Sequence, residues 1–325
     1  MRYKHLQKAN VDISVLSVGT WGIGGGAFGE VDEDNSIQAV KLEIEHGVNL
    51  IDTAPVYGNG NAERVVGKAI HGLNRSELLI STKFGVGSTT LAFKKSGKPS
   101  RDTSYANVLF ECEQSLRRLE TDYIDFYFVH WPDPDVPIEE TMDALNELKK
   151  EGKIRFAGVS NFTKEQIIES QKTCDIAVIQ PPYSMVTRRD EELMKWCMEL
   201  GIGTFTYGTL GAGILSGKYR TPQNFQKGDV RGTFYPFFHE PQFSKVKQLL
   251  AVMDEISNNN GKPLSQIALN WATQKDYVST ALCGVTKPKH ALENCNSFDW
   301  KLTDGEMRIL DEAVDKYIDF DGTAM

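Results

Sequence analysis

The sequence has no run of about 18 apolar residues, the length a membrane-spanning helix needs, so no membrane span is expected. It has no surplus of positive charge either: 36 Lys and Arg stand against 44 Asp and Glu, a net charge of −8. A protein that tracks nucleic-acid phosphates normally carries a basic face, and this balance argues against one. Cysteine is scarce. Cys112, Cys174, Cys197, Cys283 and Cys295 are odd in number, widely scattered and without a C-x-x-C pair. Disulfide frameworks and structural zinc sites show tighter, even-numbered spacing, so reduced thiols in a cytoplasmic protein are expected. The six histidines form no H-E-x-x-H or H-x-H pattern, and no metal is expected. The opening MRYKHLQKANVDISV lacks the apolar stretch of a secretory signal.

What is present is alternation. Short apolar, often β-branched runs fall at 16–19, 50–52, 78–83, 124–130, 154–160, 178–180, 203–207 and 279–283. Stretches with helical spacing lie between them, at about 33–46, 62–71, 104–119, 138–151, 164–173, 190–200, 243–259 and 289–295. Ser104 reads as an N-cap, and Gly152 and Gly201 as left-handed C-terminal residues. Strands separated by helices form βαβ units and a parallel sheet, and eight units in a chain of 325 residues match a closed (β/α)₈ barrel. No linker or break in composition divides the chain, so 1–325 is expected to be a single α/β barrel domain. Outside the repeat, 3–15 reads as a hairpin turning at Lys8-Ala9-Asn10 and closing the bottom of the barrel. Extra C-terminal helices are expected at 263–274 and 303–317, the second opened by a Thr303/Glu306 capping box. The long loops 84–103 and 208–241 leave the C-terminal ends of strands, where barrel enzymes build their sites.

Four polar residues sit where strands end or loops begin: Asp52, Tyr57, Lys83 and His130. Taken singly, such a carboxylate is a common cap and such a histidine a common core residue. Together they place an acid, a phenol, an amine and an imidazole on one rim. A phenol alone is a poor proton donor near neutral pH; a nearby ammonium lowers its pKa, and a carboxylate keeps that ammonium charged. The set suits protonation of an oxygen that becomes an alkoxide when hydride arrives. It contains no nucleophile–base pair for acyl transfer.

These residues also carry a resemblance. GTWGIGG at 19–25, IDTAPVYGNGNAERVVGKAI at 51–70, LRRLETDYIDFYFVHWP at 116–132, KIRFAGVSNF at 153–162 and LENCNS at 292–297 resemble the aldo-keto reductases over nearly the whole chain. The resemblance implies an NAD(P)H-dependent carbonyl reductase with Tyr57 as general acid, Lys83 and Asp52 tuning it, and His130 orienting the carbonyl. It implies that Ser160, Asn161 and Gln180 hold the nicotinamide carboxamide and that Tyr207 stacks on its ring. Gly19, Thr20, Trp21 and Gly284 join that cofactor wall. Gly208, Leu210, Gly213 and Lys218 belong to the implied pyrophosphate loop, and Thr286, Lys287, His290, Glu293 and Asn294 to the adenosine end.

The chain departs from the family pattern at three places, one of them His290, where a Gln is frequent. Gly208-Thr209 replaces the usual Ser-Pro after the stacking Tyr, and Thr286 stands where an Arg for the 2′-phosphate is frequent. Lys287 still offers a point charge, without a bidentate fork, so NADP(H) is favoured over NAD(H). Residues 24–29 also satisfy G-x-G-x-x-G, but the carboxylates of Glu30, Asp32, Glu33 and Asp34 that follow would repel a pyrophosphate. They read instead as complements to a helix dipole. Trp21 and Trp131, beside Tyr57 and His130, are the candidate walls for a small carbonyl or sugar-like substrate. Phe84, Phe234 and Tyr235 in the long loops, and Arg188, Arg189 and Arg231, are further candidates. Two alternatives stand beside the reductase: an NADP(H)-binding regulatory subunit resembling potassium-channel β subunits, and a metal-dependent barrel hydrolase using Asp52 and His130. The sequence does not specify the oligomeric state.

Overall fold

The structure is a computed structural model that describes residues 1–25, 31–97, 100–226 and 228–322. Strands β1 (Tyr3–Leu6) and β2 (Val11–Ser14) pair antiparallel, Tyr3 opposite Ser14, with Asn10 left-handed at the turn. Three barrel strands follow: β3 (Leu16–Gly19), β4 (Leu50–Asp52) and β5 (Leu79–Phe84). The loop after β5 carries a small antiparallel pair, β6 (Val86–Gly87) and β7 (Ser100–Arg101). The barrel resumes with β8 (Ile124–Val129), β9 (Ile154–Ser160), β10 (Ile176–Gln180), β11 (Gly203–Thr206) and β12 (Thr280–Gly284). All eight barrel strands run parallel in chain order, and β12 returns to β3, so the sheet has no edge.

Helices follow the strands as the spacing predicts, from Glu33–Glu45 through Asn61–Ile70, Tyr105–Leu119 and Ile138–Lys150 to Pro288–Cys295. The extra helices are Leu264–Thr273 and Asp304–Tyr317, and the Thr303/Glu306 capping box is formed. Gly152 and Gly201 take the left-handed conformation expected of them. Ser104 precedes its helix but does not cap it: its hydroxyl donates to Asp102 instead, 2.6 Å away. The two long loops hold short elements without a sequence signature, including the helix Leu91–Ser96 in the first and the turns Gly211–Ser216 and Pro236–Phe238 in the second. Among the described residues no helix is long and apolar enough to cross a membrane.

The interior explains the hairpin. Leu6, Ala9 and Ile13 from β1–β2 share one buried cluster with Leu50, Leu79, Phe126, Phe128, Val178, Phe205 and Leu282 from the strands. The hairpin thus plugs the N-terminal end of the barrel, leaving the C-terminal end for chemistry. Phe205 packs edge-on against Phe126, with ring centroids 5.1 Å apart, and tilted against Phe128 at 5.8 Å. Rings of this size fit only because two strand positions carry no side chain. A Cβ on Gly203 would lie 2.7 Å from Leu6 Cδ2, and one on Gly158 would lie 2.5 Å from Phe128 Cε1 and 2.9 Å from Val178 Cγ2.

Gly158→Ala is therefore expected to destabilise the fold by about 1–3 kcal/mol through overpacking, read as a lower urea midpoint. An unchanged midpoint would contradict this account of the interior.

Candidate active site

Each barrel strand delivers its last residues to the same rim. Gly19 ends β3, Asp52 ends β4, Lys83 is the penultimate residue of β5 and His130 follows β8 directly. Ser160, Gln180 and Gly284 end β9, β10 and β12, and Tyr207 follows β11. With the exception of Lys83, which lies beneath its floor, these residues line a cavity of about 610 Å³. A wider groove of about 720 Å³ adjoins it and shares Trp131 and Asn161. That groove runs over Trp196 and surface charges and contains none of the acid–base set.

The acid–base residues form one contiguous group. Lys83 is fully buried, and its Nζ donates to Asp52 Oδ2 at 2.7 Å and to the Thr53 carbonyl at 2.8 Å. The same Nζ lies 5.1 Å from the Tyr57 ring centroid. Tyr57 stacks on Trp21 with centroids 6.2 Å apart and meets His130 edge-on at 6.1 Å. Its loop is held by Gly58, which has φ +62° and no room for a side chain: a Cβ there would lie 2.0 Å from the Gly24 carbonyl oxygen.

Electrostatics set the protonation states. Burial, reinforced by the Asp52 charge, raises the Tyr57 phenol well above its ordinary value. The expectation that Lys83 lowers it is outweighed by that burial. Burial also lowers the Lys83 ammonium, opposed by Asp52 and Glu63. His130 is held well below the usual imidazole value by burial and by the Lys83 charge, so it is neutral. At neutral pH the mouth therefore presents a protonated phenol and a neutral imidazole above an ion pair.

The second group is connected by side-chain hydrogen bonds. Tyr207 Oη donates to Asn161 Oδ1 at 2.9 Å, Asn161 Nδ2 donates to Ser160 Oγ at 3.0 Å, and Ser160 Oγ donates to the Gln180 carbonyl at 2.8 Å. Asn161 sits at φ +61°, and its other amide hydrogen goes to the His130 carbonyl at 3.0 Å. Ser160 and Asn161 are not the caps of the helix that follows, because Thr163 fills that role with a complete capping box at Lys164–Ser170.

The cavity fits an extended polar molecule. The buried Thr20 and Thr209 hydroxyls border it without a hydrogen-bond partner among the described residues, as would suit groups that meet a ligand. Gly208, Gly211, Ala212 and Gly213 are all left-handed, so the backbone itself forms the wall from Gly208 to Gly213. Thr20, Trp21, Leu210, Lys218, Thr286 and His290 also line the cavity. Lys287, Glu293 and Asn294 do not. Lys287 stands at the N-cap of Pro288–Cys295, Glu293 lies 3.9 Å from Lys289 Nζ, and buried Asn294 donates to Glu43 Oε1 at 3.0 Å. Burial pushes the Glu43 carboxyl up to about 8.

The structure divides the candidate substrate residues. Trp21, Trp131, Phe234, Tyr235 and Arg231 line the cavity. Phe84 does not; it faces outward from β5 and packs on Tyr127 at 4.8 Å. Arg188 is committed to Asp315, and Arg189 to Asp190 and Asp321. Sequence reasoning missed Thr209, Tyr219 and Phe237 on the wall, and Ser81, which touches Asp52. The glycine-rich segment is described only through Gly25, and residues 26–30 lie outside the described residues. Asp32 caps the helix that follows, its Oδ1 accepting the Asn35 N–H at 2.7 Å, so the N-terminus already holds a carboxylate. Among the described residues no three His, Cys, Asp or Glu side chains are grouped as metal ligands.

Comparison with known proteins agrees with this geometry. A family model described as "Aldo/keto reductase family" matches residues 15–315. The aldo-keto reductase YhdN of Bacillus subtilis is 35% identical, covering 98% of this chain and 95% of that protein. The NADH-specific methylglyoxal reductase of Escherichia coli is 32% identical, covering 96% and 98%. Among solved structures, the glycerol dehydrogenase AKR11B4 from Gluconobacter oxydans aligns with a TM-score of 0.88 at 32% identity, covering 99% of this chain and 98% of that one. An aldo/keto reductase from Klebsiella pneumoniae in complex with NADP and acetate aligns with a TM-score of 0.75 at 26% identity, covering 99% of both chains. A closed barrel of this topology, matched by the family almost from end to end, leads to one conclusion: the chain belongs to the aldo-keto reductase family and is an NAD(P)H-dependent oxidoreductase.

Proposed function

We propose that this protein reduces a small aldehyde, ketone or sugar-like carbonyl with NADPH in preference to NADH, and that Tyr57 gives the proton. The observation that carries the reading is the juxtaposition of the protonated Tyr57 phenol with the buried Lys83–Asp52 pair at a cavity of about 610 Å³. Bound NAD(P)H supplies the hydride. The phenol stays protonated across the working pH range, so it can donate to the oxygen where negative charge develops. The phenolate left behind lies beside the Lys83 ammonium, and Asp52 keeps that ammonium in place. Neutral His130 has one ring N–H to orient a carbonyl oxygen without competing as an acid.

The hydrogen-bond inventory supports distinct roles for the nicotinamide-side residues. Both amide hydrogens of Asn161 are committed, so Asn161 serves a carboxamide as an acceptor through Oδ1. Gln180 retains its Oε1 as an acceptor, and Tyr207 offers an aromatic face held by its hydroxyl. Thr20, Thr209, Leu210, Gly213 and Lys218 would face the pyrophosphate, and Thr286 and His290 the adenosine end. The NADPH preference rests on Lys287, adjoining that end between Thr286 and Pro288. Trp21, Trp131, Phe234, Tyr235 and Phe237 would wall the substrate. The five buried free thiols suit a reducing cytoplasm.

Tyr57→Phe is expected to lower kcat for carbonyl reduction by about a thousandfold while NADPH still quenches tryptophan fluorescence with near-wild-type affinity. Wild-type turnover in that variant would overturn the assignment. Tight NADPH binding by the wild-type protein without turnover on any carbonyl, sugar or alcohol would favour the regulatory alternative.

The neutral imidazole also makes stability depend on pH. The unfolded chain protonates His130 near pH 6.5, whereas the folded protein resists protonation to a much lower pH. The folded state thus binds fewer protons, and stability is lost as pH falls below about 6.5, by at most about 1.4 kcal/mol per pH unit. His130→Gln should flatten that decline in urea titrations between about pH 6.5 and 5; parallel declines would show that His130 is charged in the folded protein.

A further inference from the structure

Ser81 lies outside the cavity wall and has no part in the reading above, yet it touches the central carboxylate. Ser81 is opposite Asp52 in the β4–β5 ladder and two residues before Lys83 on β5. Side chains two apart on a strand share a face, so Ser81 and Lys83 both turn toward Asp52. Each takes one of its oxygens: Ser81 Oγ donates to Oδ1 at 2.7 Å and Lys83 Nζ to Oδ2 at 2.7 Å. Gln180, from the far side of the barrel, adds Nε2 to Oδ1 at 2.9 Å. The backbone carbonyl of Gln180 accepts from Ser160 Oγ, which connects through Asn161 to Tyr207.

We propose that Ser81 and Gln180 are positioning residues: they clamp Asp52 Oδ1 so that Oδ2 stays on Lys83, and they tie the charge of the pair to the nicotinamide side of the cavity. This rests on the reading of Tyr57, Lys83 and Asp52 as the proton-delivery set. A carboxylate rotor is broad and roughly two-fold, so one partner alone does not fix its plane. Two donors on the remaining oxygen do. Both are neutral donors, so they hold the carboxylate without neutralising the charge that Lys83 pairs with. An Asp52 carboxylate held against Lys83 favours the charged ammonium, against the burial that would strip its proton.

Among the described residues, three other titratable groups face the pair: Tyr57, His130 and Glu63. Tyr57 and His130 face Lys83 from the mouth. Glu63, on Asn61–Ile70, also favours the charged ammonium, but its carboxylate is bound to Thr82 Oγ1 at 2.8 Å and Arg118 Nε at 2.6 Å. The clamp is thus the element that holds Asp52 itself.

The test is the pH profile of kcat for carbonyl reduction at saturating NADPH, in wild type, Ser81→Ala and Gln180→Met. Ser81→Ala should lower kcat about tenfold and move the alkaline limb down by at least about half a pH unit, because Lys83 loses its proton sooner. Its NADPH affinity should stay within about twofold of wild type, since Ser81 does not line the cavity. Gln180→Met should move the same limb in the same direction and weaken NADPH binding as well. A merely structural role would lower the melting temperature and leave the limb in place; an unmoved limb in either variant overturns the clamp. If Tyr57→Phe retains turnover, the proton-delivery reading fails first; if it is inactive and the limb is unmoved, only the clamp fails.

Discussion

The rest of the site depends on a buried ion pair, Lys83 with Asp52 at 2.7 Å. Taking both charges out of water costs several kcal/mol each, and apolar residues of similar volume often serve stability as well or better. A pair of this kind is weak evidence for stability and calls for another explanation. Its surroundings supply one. The ammonium lies under the face of a phenol, the carboxylate is held by two neutral donors, and an uncharged imidazole stands at the edge of the ring. Asp52 keeps the ammonium charged against its burial, and burial of the phenol leaves Tyr57 protonated and ready to donate.

The barrel makes that arrangement possible. The hairpin closes the N-terminal end of the barrel, and Phe126, Phe128 and Phe205 fill its interior. Parallel strands then bring Asp52, Lys83, His130, Ser160 and Gln180 to one rim from positions as much as 128 residues apart. Short strands suffice because closure leaves no edge to protect.

Much of this was legible in the sequence, and the reason is periodicity. Every barrel strand falls where a short apolar run does, and polar residues directly after such runs do converge on one mouth. The family motifs then narrowed the chemistry. What periodicity does not encode is the path of a loop. Nothing in 84–103 announced its helix or small strand pair, and nothing in 208–241 announced that Thr209, Tyr219 and Phe237 would reach the cavity while Phe84 would not. Phe84 is one residue beyond Lys83 on the same strand, and alternation alone turns it outward. Asn294 was expected at the adenosine end only from the resemblance, and its amide is bound to Glu43 on a helix more than two hundred residues away. Ser81 was invisible for a different reason: a serine inside a strand looks like any small core residue until the ladder places it opposite Asp52.

The central claim is that this cavity passes hydride from a nicotinamide to a carbonyl carbon. It is tested most directly by supplying NADPH deuterated at the transferable position with a small aldehyde or ketone, and reading the product by mass spectrometry and NMR. The account predicts one deuterium on the former carbonyl carbon for each NADPH consumed, with none entering that carbon from solvent. NADPH bound tightly in the cavity, with no label in any product across a panel of carbonyls, would contradict it.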